Sequence, residues 1–294
     1  MPTAPLRPSR GPRRSPADRV RDRVRATAGE RWALGIPDGY QRMGRVLLLR
    51  LPARYRPLGD VIGRAWQEEL GVETVMNRLG PVEGEFREPR VERWVGTETE
   101  TEVVEHGVRW RFDAARVMFA AGNQSERRRA GALVRPGESV VDLFAGIGYF
   151  TIPAARSGPA TRVVAVEKNP IAYRYLEENV RRNGVEDRVR CFLGENRSIP
   201  LSPHGADRVF LGYLPDALPW LPRAVELLRN EGGWVHVHLV VDARGSRREA
   251  ARQLEVAAAE VGATVVEPPG VREVKPYGPG RTHVVVDARL KPAA

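Results

Sequence analysis

The sequence predicts an α/β protein: a doubly wound sheet of seven strands over residues 116–294, its last pair antiparallel, preceded by a small α+β domain over residues 30–115. Three observations carry this. From Ser125 onward, apolar runs of strand length alternate strictly with amphipathic stretches of helical period, the pattern of βαβ units. The last two strand-like runs have no helix between them, only the Pro/Gly-rich link Lys275-Pro276-Tyr277-Gly278-Pro279-Gly280, so they pair antiparallel. Residues 30–115 instead combine turn signals and short β-type runs with one helix.

Residues 1–29 hold eight arginines before Ala26 (Arg7, Arg10, Arg13, Arg14, Arg19, Arg21, Arg23, Arg25) against Asp18 and Asp22, so six of the ten excess positive charges of the chain fall there. The composition reads as a flexible basic arm, detachable from a mildly basic body, with Ser15-Pro16 able to cap and start a short helix. In the small domain the strands are Arg45–Leu51, Thr74–Arg78, Arg90–Val95 and Glu102–Phe112, with a helix over Gly59–Leu70. In the larger domain they are Ser139–Leu143, Arg162–Glu167, Arg188–Leu193, Asp207–Leu211, Gly233–Val240, Ala263–Glu267 and Arg281–Leu290. Helices fill Phe150–Arg156, Pro170–Asn183, Ala217–Leu228 and Arg247–Val261, and another follows Asn123.

Composition excludes several classes. With 294 residues and 42% apolar side chains the chain can bury a sizeable core, which excludes disorder throughout. A single cysteine, Cys191, excludes a disulfide framework and a cysteine zinc site and fits a reducing cytoplasm. No run approaches the about 18 apolar residues of a membrane span, and no signal-like segment opens the chain. The net charge of +10 suggests a polyanion as partner.

The first strand of the larger domain runs into Asp142-Leu143-Phe144-Ala145-Gly146-Ile147-Gly148. Glycines there let the backbone approach a ligand at the carboxyl end of the strand. A dinucleotide fingerprint would carry a third glycine, but only two stand here, followed by Tyr149 and Phe150, and the bulk there argues against a pyrophosphate on the following helix. Asp142 is instead placed to attract an ammonium group. Glu167, ending the second strand, is placed to accept both ribose hydroxyls, and Glu195-Asn196, after the third, to meet an adenine edge. Three acidic positions at three successive strand tips match the S-adenosylmethionine pattern of Rossmann-like class I methyltransferases. The bland alternative makes Asp142 a helix cap and the two glutamates solvated loop acids.

The sequence resembles a more particular family, the archaeal and eukaryal enzymes acting on guanosine 37 of tRNA. The resemblance spans roughly residues 30–290 and rests on Gly80-Pro81-Val82-Glu83-Gly84-Glu85-Phe86-Arg87-Glu88-Pro89, Thr97-Glu98-Thr99, Glu105-His106-Gly107, Val117-Met118-Phe119, Glu126-Arg127, the glycine turn, Glu167-Lys168-Asn169-Pro170, Tyr175-Leu176, Asn179, and Tyr277-Gly278-Pro279 with His283. Its two branches are guanine-N1 methyltransferases and wybutosine-pathway aminocarboxypropyltransferases. The first usually carries Asn-Leu-Pro or Asn-Pro-Pro after the fourth strand, and here Gly212-Tyr213-Leu214-Pro215 stands there. Met118-Phe119-Ala120-Ala121-Gly122-Asn123 and His236-Val237-His238 also resemble the second branch. The resemblance therefore implies transfer of the 3-amino-3-carboxypropyl group of S-adenosylmethionine to 4-demethylwyosine at position 37 of tRNA(Phe), releasing methylthioadenosine. The alternatives are a guanine-N1 methyltransferase and, in another class, a non-catalytic tRNA-binding protein.

The expected cofactor-binding residues are Phe119, Ala120, Arg127, Asp142, Phe144, Ala145, Gly146, Glu167, Lys168, Glu195 and Asn196, with Arg127 holding the cofactor carboxylate by its fork. Asn123, Gly212 and Tyr213 are the expected substrate-positioning residues, and no general base is assigned. Trp110, Tyr149 and Tyr213 are candidates for stacking on the tricyclic base. His236 and His238 share one strand face and lack further ligands nearby, so no metal is expected; core packing is the reading for at least one of them, and His106 and His283 read as structural. The partner is tRNA, with the small domain contacting RNA; no membrane is involved, and the chain is expected to act as a cytoplasmic monomer.

Overall fold

A computed structural model describes residues 14–82, 84–158 and 161–293. The chain divides into two compact units: one runs to Glu102 and resumes over Asp113–Met118, the other comprises Val103–Phe112 and the chain from Phe119.

The first unit contains α1 (Pro16–Ala28), α2 (Glu30–Ala33), β1 (Gln41–Met43), β2 (Val46–Leu49), α3 (Gly59–Leu70), β3 (Thr74–Arg78) and β4 (Val91–Val95). The four strands form one sheet in sequence order, β2 and β3 parallel and the outer pairs antiparallel. Ser15 caps α1 by a reciprocal bond with Asp18, and Pro16 occupies its first turn, as the sequence signals.

The arm reading fails for this helix; residues 1–13 lie outside the described residues. Ala17, Val20 and Val24 recur at helical spacing and are buried with Trp66, Ile62 and Leu47 in the core of the unit. The intervening arginines lie on the other face and pair locally: Arg21 bonds Asp18 and Asp38, and Arg19 bonds Glu69 of α3. A charge count sees those arginines and overlooks the three apolar residues between them. Replacing Val20 and Val24 together by alanine should lower stability by about 3 kcal/mol, since four buried methyl groups are lost. Urea unfolding checks this, and an unchanged midpoint contradicts it.

Next come β5 (Glu100–Glu105) and β6 (Val108–Asp113), a two-stranded hairpin where the sequence suggested a single long strand. His106 and Gly107 both take positive φ, 51° and 75°, at the turn that splits it.

The second unit adds α4 (Gln124–Leu133), β7 (Ser139–Asp142), α5 (Thr151–Ala155), β8 (Arg162–Glu167), α6 (Pro170–Arg182), β9 (Val189–Leu193), β10 (Arg208–Leu211), α7 (Leu221–Leu227), β11 (Gly233–Asp242), α8 (Ser246–Glu260), β12 (Thr264–Val265), β13 (Gly270–Gly278) and β14 (Arg281–Lys291). Asn179 on α6 and Asn183 at its C-cap, one turn apart, hydrogen-bond the backbone of Arg111 and Arg109 and tie β6 into this unit.

The sheet runs β9-β8-β7-β10-β11-β14, parallel as far as β11, with β14 antiparallel. It has eight strands, one more than expected. β12 and β13 both pair with β14, and β13 occupies much of the stretch read as a Pro/Gly-rich link. At an edge, Pro276 is tolerated, and register shifts at Glu273/Lys275 and Pro276/Gly278 absorb the irregularity. Strand order reverses between β7 and β10, which opens a crevice at their carboxyl ends. No helix among the described residues is long and apolar enough to cross a membrane.

Candidate active site

The tips of β7, β8, β9 and β10 bring four loops to this crevice. The turn after β7 is organised from beneath. Asp142 is fully buried, its carboxylate accepting from the Phe144 amide at 3.3 Å and the Thr151 hydroxyl at 2.8 Å. Burial raises its pKa to about 6 against those two bonds. This corrects the ammonium assignment. One oxygen ties down the turn after β7 and the other the first residue of α5, so the fully buried Asp142 holds the turn in shape; it does not cap α5, whose N-cap is Phe150 with no side-chain bond. Ala145 is buried and its amide bonds Val166. Gly146 has φ 57°, and a Cβ there would lie 2.9 Å from the Tyr149 ring, so both conformation and space call for glycine.

Glu167 links two of the loops. One carboxylate oxygen accepts from the Gly146 amide and the other from the Asn169 amide, both at 2.7 Å. Burial raises its pKa, opposed by these backbone bonds. Each oxygen retains a lone-pair direction, which suits two vicinal hydroxyls.

Lys168 and Glu195 meet at 2.6 Å, each side chain more than a third exposed. Glu195 is thus already paired with a cation. Its neighbour Asn196 is 5% exposed and donates to the Leu143 carbonyl at 3.0 Å, while its Oδ1 is buried without a hydrogen-bond partner among the described residues. An unpartnered amide oxygen at the third strand tip is what an adenine amino group would satisfy.

Arg127 departs from expectation. Its side chain is 3% exposed, with Nε and Nη2 donating to Glu105 at 3.0 and 2.5 Å and Nη1 to the Ala120 carbonyl at 2.9 Å. The rings of Phe119, Trp110 and Tyr149 surround it at 4.8–5.6 Å. The expected fork is engaged by Glu105, whose contribution the sequence reading missed although it quoted the residue within a motif. Phe119 stacks on Phe112 at 4.8 Å and touches Tyr149, so it packs this cage. Trp110, 1% exposed, belongs to the core, not to a stacking surface. Asn123 is the N-cap of α4, its Oδ1 buried and without a hydrogen-bond partner among the described residues.

At the tip of β10, Tyr213 packs on Phe144 at 5.1 Å and on Trp220 at 4.9 Å. Trp220 escaped the sequence reading because it stands in a Pro-rich stretch before α7 with no motif around it. A Cβ on Gly212 would lie 2.7 Å from the Phe150 ring, which is itself stacked between Phe210 and His238 at 5.5 and 5.1 Å. The position therefore has no room for a side chain.

Beneath this corner, His236 and His238 share one face of β11, as expected. His236 bonds Asp287 at 2.5 Å and receives Arg208 at 2.7 Å. Burial pushes Asp287 up, but the His236 and Arg129 hydrogen bonds outweigh it and bring its carboxyl down to about 2. Among the described residues, no three His, Cys, Asp or Glu side chains are grouped to hold a metal.

Residues 101–266 match the TRM5/TYW2 methyltransferase domain, and residues 20–99 match the TYW2 N-terminal domain. A protein of Pyrococcus horikoshii named tRNA(Phe) (4-demethylwyosine(37)-C(7)) aminocarboxypropyltransferase is 35% identical over 92% of this chain and 96% of its own length. The crystal structure of P. horikoshii TYW2 in complex with MeSAdo is similar at 32% identity and a TM-score of 0.82, covering 94% of this chain and 100% of that one. That of M. jannaschii TYW2 in complex with AdoMet is similar at 32% identity and a TM-score of 0.70, covering 87% and 100%.

Proposed function

The chain belongs to the TRM5/TYW2 family, and on that footing we propose that it transfers the 3-amino-3-carboxypropyl group of S-adenosylmethionine to 4-demethylwyosine at position 37 of tRNA(Phe), releasing methylthioadenosine. The relative named for this reaction supports the reading along almost the whole chain, and the similar structure with MeSAdo supports methylthioadenosine as the departing product. The observation in this chain that carries it is Gly212 against Phe150. The place where the methyltransferase branch would put an asparagine is filled by a ring.

When bound, the sulfonium supplies an electrophilic γ-carbon; orientation decides which of its three carbons reacts. Glu167 holds the ribose hydroxyls through its two remaining lone pairs. Asn196 accepts from the adenine amino group, and Phe144 packs the adenine side of the crevice. The Gly146 turn brings backbone within reach of the sulfur side. Ala120 and Asn123 bound the amino-acid arm, with Arg127 and Glu105 keeping that segment in place. Tyr213 and the bare backbone of Gly212 bound the tricyclic base. The caged Arg127 and the buried Asp142 work by holding these contacts in register.

The decisive experiment identifies the sulfur product after incubation with S-adenosylmethionine and tRNA(Phe) carrying 4-demethylwyosine. Methylthioadenosine is the expected product. S-adenosylhomocysteine would make the chain a methyltransferase, and no sulfur product would leave a tRNA-binding protein.

A further inference from the structure

In the first unit, arginine side chains are commonly answered by acids. Arg19 meets Glu69, Arg45 meets Glu73, Arg56 meets Glu92 and Arg64 meets Asp60, each within 3.1 Å. Arg50 and Arg78 are the contrast, since neither has a carboxylate partner among the described residues. Burial, and then the like charge of Arg50, push the Arg78 guanidinium below its ordinary pKa.

The fold sets these two arginines side by side. β2 and β3 are parallel and pair Leu49 with Asn77, so Arg50 follows β2 and Arg78 closes β3 at the same end of the sheet. Neighbouring strands lie about 4.8 Å apart. The Asn77 side chain, 3% exposed, clasps the chain just beyond, accepting from the Leu51 amide at 2.8 Å and donating to the Leu51 carbonyl at 3.0 Å. Arg50 is thereby held beside Arg78 and does not leave with the following loop.

Keeping two like charges adjacent, one of them half-buried, costs stability, and an apolar side chain would avoid that cost. The arrangement is open where a ligand needs it to be. Arg78 has its Nε enclosed with no hydrogen-bond partner among the described residues, while its two Nη groups, also without a protein partner there, are not enclosed. Arg50 is exposed, and Leu79, next to Arg78, is 48% exposed. The buried part of Arg78 thus fixes its stem, and the outer donors of both arginines face solvent.

We propose that Arg50 and Arg78 form a clamp for one backbone phosphodiester of the tRNA, an inference that rests on the tRNA substrate proposed above. Each guanidinium offers a planar fork of donors that matches phosphate oxygens, and a single phosphate supplies the negative charge that both arginines lack. Two forks one strand spacing apart can close on the same phosphate. The chain's ten excess positive charges favour a polyanion over an isolated acidic side chain as the occupant. A phosphodiester carries no sequence information, so the clamp fixes where the RNA lies on the first unit and leaves the choice of base to the crevice.

The test measures the tRNA affinity of the full chain over a range of salt concentrations for Arg50→Gln, Arg78→Met and the double variant. Arg64→Gln is the control, since it removes an equal charge that is already paired with Asp60. Each single clamp variant is expected to weaken binding about tenfold at low salt, while Arg64→Gln stays near wild type. The double variant should lower the slope of log affinity against log salt by about 1. It should also lose much less than the product of the two single losses, because the same phosphate is given up in each case. Turnover at saturating tRNA and the affinity for methylthioadenosine stay near wild type throughout. Affinities and slopes equal to those of Arg64→Gln overturn the proposal, and so do fully multiplicative losses, which would mean two separate contacts. A wild-type protein that does not bind tRNA defeats the substrate reading instead. Should Arg78→Met fold poorly, the exposed Arg50→Gln decides by its affinity and slope alone.

Discussion

Glu167→Gln is expected to weaken methylthioadenosine binding up to about a hundredfold, because the ribose loses one charge-assisted acceptor worth about 1.5–3 kcal/mol. The geometry makes the substitution unusually costly for an isosteric change. Both oxygens already accept backbone N–H groups, from Gly146 and Asn169, at 2.7 Å. An amide must turn its NH₂ toward one of those donors, so one turn loses its tether while the ligand loses an acceptor. Titration calorimetry reads the affinity, and a thermal melt confirms that the variant folds. Unchanged affinity would remove the ribose assignment and leave Glu167 a purely structural tie between the two loops.

The second large effect is expected at Gly212. Gly212→Ala places a carbon 2.7 Å from Phe150, whose ring is held between Phe210 and His238 and cannot simply swing aside. Overpacking of this kind costs about 1–3 kcal/mol in stability. Turnover should fall further than stability does, because the displaced ring borders the base corner, while methylthioadenosine affinity stays close to wild type. Adding Phe150→Leu should return part of both losses. A double-mutant cycle measures the coupling, and additive effects would mean that the two positions do not compete for one space. Gly212→Asn should be at least as damaging, since its longer side chain meets the same ring.

Much of the site is legible along the chain because it is assembled from strand tips. A strand that ends in Glu167 must deliver that carboxylate to the carboxyl edge of a parallel sheet, whatever packs around it, and the same holds for Glu195-Asn196 and Gly212-Tyr213. Turn chemistry is equally local: Gly146 needs its positive φ, and Ser15-Pro16 starts a helix. What local rules cannot reveal is which partner claims a charged group first. In one dimension Asp142 and Arg127 both look like charged groups free to meet a ligand. Thr151 claims one, and Glu105 with three aromatic rings claims the other.

The basic N-terminal stretch shows the same limit. Arginine content made residues 1–29 look detachable, yet Ala17, Val20 and Val24 complete the core of the first unit. The pairing of His238 with His283 joins residues distant in sequence and is set by the β11–β14 register, which no local pattern encodes. By itself the amino-acid sequence determined the fold class and the strand tips that carry the candidate site, because periodicity and strand-end position are local consequences of backbone geometry, while the branch of chemistry came from its resemblance to a family. Only the tertiary structure decided which buried charges are spent on one another and which polar atoms are left unpaired, because desolvation makes that choice depend on every neighbour the fold brings within hydrogen-bonding distance.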